Sequence, residues 1–214
     1  MNHETNPSPA DHPNGTPEED HEPGQREKRA ATGATKAMGS SKLMSWQTPP
    51  AELDLVRRVA PIGLDPATVD SNPTKAKHIY TPRENGLVMP WRGFGMVYLN
   101  PEYGRGSNSV GEWVKRAPDA DSCIALVKAA TGTKWFNRML ETADVHCAVE
   151  GRISFIHPET GEPQKNSTIE NAFVGWAPDG EDRVAWLDRF VRTFKSVGRV
   201  YLESHCHFTP GGPL

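Results

Sequence analysis

Two wholly apolar stretches, Met96-Val97-Tyr98-Leu99 and Cys123-Ile124-Ala125-Leu126-Val127, each stop abruptly against a polar residue and lead toward a stretch with helical periodicity. Successive side chains on an extended chain point to opposite faces, so a run that is apolar at every position belongs to a strand covered on both sides. This places strands over 96–100 and 122–128. Between them, 110–117 reads as a helix behind the capping cluster Ser107-Asn108-Ser109. Residues 131–143 read as a second helix, with Phe136, Met139 and Leu140 on one face. Strand and helix repeating in that order build a parallel sheet.

The same reasoning extends outward. Short strands are expected over 62–65, 78–81, 145–149, 152–156, 172–176 and 199–202, with a Gly/Pro-rich turn over 157–163. A helix over 181–196, apolar at Leu187, Phe190, Val191 and Phe194, should stop at Gly198. Alternation early and crowded strands late predict an α/β fold, a mainly parallel sheet with antiparallel strands at its C-terminal end. Ligands of such sheets bind at the carboxyl ends of the strands. Two polar groups fall there, Asp65 and Asn100.

Composition limits what surrounds this core. Residues 1–43 are rich in Pro, Gly, Glu, Asp, His, Thr and Ala, too polar to repay the entropy of ordering, and read as a disordered leader. Its short basic run, Arg26, Lys28 and Arg29, suits phosphate contact or simple solvation. One folded domain is then expected over 44–204, with a flexible tail over 205–214. The chain shows 36% apolar and 24% charged residues. No stretch approaches the roughly 18 to 20 apolar residues of a membrane helix, and residues 1–11 show no secretory pattern, so a cytoplasmic location is expected. Cys123, Cys147 and Cys206 form no CxxC pair and read as reduced thiols. His205-Cys206-His207 is too compact to satisfy one tetrahedral ion, so no metal is expected. A net charge of −3 gives no global attraction to nucleic acid, so any such affinity must be local.

Asn100-Pro101-Glu102-Tyr103, directly after a buried strand, carries the chemistry. An exocyclic amine on an aromatic base is a poor nucleophile because its lone pair is delocalised into the ring. Acceptors that hold both amine hydrogens favour a more tetrahedral nitrogen. The Asn100 side-chain oxygen and the Pro101 carbonyl are such acceptors, and Tyr103 offers a flat face for a base swung out of a duplex. The bare string also describes a simple turn, in which Asn caps and Pro fixes φ.

The flanking residues decide between these. Trp46-Gln47-Thr48-Pro49-Pro50, Gly63-Leu64-Asp65-Pro66-Ala67, Asn85-Gly86-Leu87 with Pro90-Trp91, and Leu99-Asn100-Pro101-Glu102-Tyr103-Gly104 follow one another in order. Trp113-Val114-Lys115-Arg116-Ala117, then Thr131, Thr133, Trp135 and Phe136, then Gly151-Arg152-Ile153-Ser154-Phe155 complete the series. In these pieces the chain resembles the phage-type, Dam-like DNA N6-adenine methyltransferases, over residues 46–200.

That resemblance implies a Rossmann-like class I fold, S-adenosylmethionine as cofactor and double-stranded DNA with a flipped adenine as substrate. It implies catalytic roles for Asn100, Pro101, Glu102 and Tyr103. It also places Thr48 and Pro49 near the cofactor methionine moiety, with Asp65, Ala67 and Asn85 as further cofactor contacts. Asp65 suits the ammonium or the ribose hydroxyls, and its alternative is a turn residue before Pro66. Arg105, Lys128, Lys134 and Arg152 are candidate phosphate contacts, as are Lys115, Arg116 and Arg138. Trp113, Trp135 and Phe136 read as core rather than as stacking platforms.

The chain departs from the family pattern in three places. Glu102 stands where relatives carry a second proline, which adds a carboxylate but leaves the Pro101 carbonyl in place. Asn85 replaces an aspartate, and Lys128 a proline. Two alternatives therefore stay open: methyl transfer to RNA or to a protein amide, and a non-catalytic nucleic-acid-binding module of the same shape.

Overall fold

The computed structural model describes residues 46–203. The leader, its basic run, Cys206 and the His205-Cys206-His207 run lie outside the described residues. Both apolar runs are strands. Met96–Leu99 (β3) and Ser122–Lys128 (β4) pair in parallel, from Met96 opposite Ser122 to Leu99 opposite Ala125. Ile62–Asp65 (β1) flanks β3 in parallel, and His78–Ile79 (β2) flanks β1.

The other half of the sheet comes from Val145–Val149 (β5), Asn171–Trp176 (β6) and Gly198–Leu202 (β7). The strand order is β2-β1-β3-β4-β6-β5-β7. Pairings on the β2 side of β4 are parallel, while β4-β6, β6-β5 and β5-β7 are antiparallel. The sheet is thus evenly mixed in its pairings rather than mainly parallel. Yet β1 to β5 all point one way, and only β6 and β7 run against them.

The cause is the connections. Lys134–Leu140 (α3) carries the chain from β4 over to β5, as a crossover helix does between parallel strands. The link from β5 to β6 has no helix, and β6 returns antiparallel into the gap between β4 and β5. Asp182–Phe194 (α4) then carries the chain across to β7 on the far side of β5.

Alternation along the central strands divides the core in two. Tyr98, Ile124, Leu126 and Phe173 face Leu53, Val56, Trp186, Phe190 and Phe194. Val97, Leu99, Ala125, Val127 and Val174 face Trp113, Phe136 and Met139. Trp113 and Phe136 are core, as their helical spacing predicts, and Trp135 packs half-buried against them. Cys123 and Cys147 are buried free thiols.

Several boundaries differ from the sequence reading. Pro50–Val59 (α1) is a helix that the sequence reading did not anticipate, with Pro50 at its first position and Leu53, Val56 and Val59 buried. The helix expected over 110–117 is only Val110–Val114 (α2), and α3 begins at Lys134 because Thr133 caps it, its hydroxyl accepting from the Phe136 amide at 3.4 Å. The strand expected over 152–156 is absent. Gly151 takes a left-handed φ of 81°, and only Ile156 makes isolated bridges, to Gln47 and Pro163. Gly198 is not a left-handed helix stop. It opens β7, where a Cβ would collide with the Ala148 carbonyl of β5.

Candidate active site

From β1 the chain moves outward to β2, then returns to place β3 on the other side of β1. A crevice opens where the strand order reverses like this, outside the carboxyl ends of the strands. Here it is a cavity of about 390 Å³, within the size range of small-molecule sites. Asp65 at the end of β1, Asn100 after β3 and Lys128 at the end of β4 all line it. The long connection over 150–170 contributes Phe155, Gln164 and Ile169 to the wall. Its position is fixed by paired main-chain hydrogen bonds of 2.9 Å between Gln47 and Ile156, and by the Gln164 amide donating to Phe155 at 2.7 Å.

Asn100 is held by its amide nitrogen, which donates to the Trp46 carbonyl at 3.0 Å. That bond fixes the side chain and leaves its oxygen unused by the tether, in a residue that lines the cavity. Pro101, Glu102 and Tyr103 line it too. The Tyr103 hydroxyl accepts from the Lys128 main-chain amide, which swings the ring across the end of β4. Tyr103 as a whole remains 36% exposed, and the Lys128 ammonium stands 4.3 Å from its ring centroid in a cation–π contact. Desolvation raises the Tyr103 phenol above its ordinary range.

Asp65 is only 3% exposed. The Thr74 hydroxyl donates to it at 2.9 Å and the Ala67 amide at 3.1 Å. Burial nonetheless outweighs these bonds and that of Thr68, and pushes the carboxyl up to about 6. A carboxylate kept this dry favours any cation that enters beside it. In the same cavity wall, the Thr48 hydroxyl and the Tyr98 hydroxyl share a 2.6 Å hydrogen bond. Burial raises the Tyr98 phenol, so it stays neutral.

The structure therefore brings Thr48, Asp65, Ala67, Asn100, Pro101, Glu102, Tyr103 and Lys128 to one cavity. Pro49 instead caps α1, and Asn85 is an exposed turn residue at φ 57°; neither lines the cavity. The proposed phosphate contacts separate. Arg105 is exposed just beyond Tyr103. Lys134 lines a second hollow between α2 and α3 with Lys115 and Arg138. Arg152 pairs with Glu170 at 3.1 Å. Arg116 is engaged within the fold: it covers Trp91 at 5.2 Å, donates to Met89 at 3.0 Å and to Leu87, and pairs with Asp119.

The sequence reading had Trp46 only as part of the entry segment and missed its hold on Asn100, which acts through a main-chain oxygen that no side-chain pattern reveals. It also missed Thr68, Thr74, Tyr98, Gln164 and Asn171 in the wall. Of these only Asn171 carried a signal, as a polar residue at the head of an apolar strand.

No curated protein and no solved structure matches the chain. A family model described as DNA N-6-adenine-methyltransferase (Dam) matches residues 37–184, about two thirds of the 214 residues. The match takes in every wall of the cavity and leaves out most of α4 and all of β7. The chain belongs to this family of DNA methyltransferases, which act on the N6 amine of adenine.

Proposed function

We propose that the cavity binds S-adenosylmethionine beside Asp65 and receives an adenine swung out of double-stranded DNA against Tyr103. The crevice at the reversal of strand order supports a Rossmann-like class I arrangement. The donor set fits the cofactor: a dry carboxylate for its ammonium group, and apolar wall from Phe155, Leu126 and Ile169 for its uncharged parts. When bound, the cofactor would supply an electrophilic methyl for the N6 lone pair, with its sulfur as the leaving group.

The protein's part is orientation. Asn100 Oδ1 and the Pro101 carbonyl accept the two N6 hydrogens and turn the lone pair out of the ring plane. No general base is required, since the proton is lost to water after transfer. The Tyr103 ring supports the base, and Lys128 leaves that ring for a DNA phosphate as the base arrives. Arg105, beside the mouth, takes another phosphate, while Lys134 and Arg152 touch the duplex farther out. Such a chain meets its DNA inside a host cell, as a phage-encoded enzyme would.

One observation carries this reading: the Asn100 amide is tethered through its nitrogen, beside Tyr103 and at the same cavity as Asp65. The test is transfer of labelled methyl to DNA free of methyladenine. Asn100→Ala should abolish transfer and leave cofactor binding, read by calorimetry, within about threefold. Undiminished transfer, or loss of cofactor binding together with activity, would overturn the assignment.

A further inference from the structure

At the end of the sheet far from β2, β7 pairs with β5 alone. The Glu203 amide donates to the Asp144 carbonyl and the Glu150 amide to the Val197 carbonyl, each at 2.9 Å, so the odd-numbered residues here bond to β5. Gly198, Val200 and Leu202 turn their main-chain groups outward instead, where they meet no hydrogen-bonding partner among the described residues. Natural sheets shield such a row with lysine, proline, a bulge or a very short strand. The opposite edge is short, since β2 has two residues. In contrast, Gly198-Arg199-Val200-Tyr201-Leu202 runs for five residues in unbroken register with none of these devices.

The two faces of this edge differ. Val200 and Leu202 pack against the cluster that holds Phe190 and Phe194 of α4. Arg199, Tyr201 and Glu203 share the other face with His146, and there Ala148 and Arg199 are exposed and Tyr201 is 44% exposed. The His146 ring stacks on Tyr201 with centroids 4.9 Å apart, and its Nδ1 lies 2.6 Å from one oxygen of Glu203.

This pattern is complementary to itself. Let β7 pair antiparallel with a second copy about a two-fold axis at Tyr201. Val200 then lies opposite Leu202 of the second copy, and their outward groups exchange main-chain hydrogen bonds. Tyr201 meets its counterpart as a non-hydrogen-bonded pair, with Cα atoms about 4.5 Å apart, the closer of the two antiparallel spacings. Arg199 faces Glu203 of the second copy, twice by symmetry, and takes the carboxylate oxygen that His146 leaves. Aromatic pairs and opposite charges directly across a ladder stabilise it. Moving the axis to Val200 or Leu202 would lose both ion pairs.

We propose that the β7 edge is an interface for a second copy of this chain, across which two seven-stranded sheets join into one. The occupant is a second copy because one edge supplies both members of the ion pair, as a two-fold contact requires. No residue of β7 lines the cavity, so this inference stands apart from the function proposed above.

The test is sedimentation velocity of the full chain across the micromolar range, where wild type should show the reversible monomer–dimer equilibrium of a small contact. Val200→Pro removes an outward amide that an edge strand can spare, and should weaken association about tenfold or more. Arg199→Glu and Glu203→Arg should each self-associate about tenfold more weakly than wild type, because like charges then meet. An equimolar mixture of those two should recover a dimer as tight as that of wild type, which also shows that both are folded. A wild type that stays monomeric throughout, a dimer that these substitutions leave unchanged, or a mixture no tighter than its components overturns the inference. Dimerisation that appears only on removal of residues 204–214 overturns it too, since that segment would then be the occupant of the edge.

Discussion

Replacing Asp65 by Asn should make the protein more stable and less able to hold its cofactor. The carboxyl is raised by burial from an ordinary value near 3.8 to about 6. Its folded-state pKa lies above its unfolded one, so the folded chain holds the proton more tightly. The associated stability is present below about 3.8 and is lost as pH rises through about 6. At pH 8 the ionised group therefore withholds ~3 kcal/mol, at about 1.4 kcal/mol for each pH unit of displacement. An asparagine keeps the acceptor for the Ala67 amide, and the Thr74 hydroxyl can turn to Asn72, whose side-chain oxygen is 3.2 Å away. Asp65→Asn should thus unfold roughly 5 to 10 °C higher than wild type at pH 8, with the difference closing by pH 4. Calorimetry at pH 8 should show cofactor affinity weakened at least tenfold, as expected for loss of a charged partner. Wild-type affinity should itself fall as pH drops through about 6, when the carboxylate gains its proton. A variant less stable than wild type at pH 8, or one that binds S-adenosylmethionine equally well, refutes the reasoning.

Lys128→Met removes the ammonium from the Tyr103 ring and one positive charge from the mouth; KM for DNA should rise, the logarithmic salt slope should flatten by about 1, and kcat should change little. A slope equal to that of wild type would mean that Lys128 stays on the ring throughout. Thr48→Val strips the buried Tyr98 hydroxyl of its partner and should cost about 1–3 kcal/mol in urea unfolding, which Thr48→Ser should largely spare.

What the sequence disclosed and what it hid follow from where the information resides. The apolar runs of β3 and β4 and the amphipathic face of α4 are written in side chains, and their places are those expected. Asn100 was legible because its setting is local, a polar residue at the stop of a buried strand. The helix α1 was hidden because Pro49-Pro50 reads as the end of a segment, although proline also starts helices. The antiparallel C-terminal strands were expected from their crowding, but the insertion of β6 between β4 and β5 was hidden, because strand order depends on how the connections cross over, and the long 150–170 link carries no such mark. Residues 152–156 have strand-like side chains but leave the sheet to wall the cavity. The partners of Asp65 illustrate the same limit: Thr74 is nine positions away, and nothing in its neighbourhood announces a carboxylate.

The aim of the Asn100 amide comes from the peptide oxygen of Trp46, fifty-four positions upstream. A peptide oxygen is common to every amino acid, so the bearing of the reactive group is indifferent to which side chain residue 46 displays. It depends instead on where that backbone runs, and hence on the count of residues between Trp46 and the first turn of α1. Lengthening or shortening this short stretch would swing the reactive oxygen off target while leaving the chemical identity of every cavity wall intact.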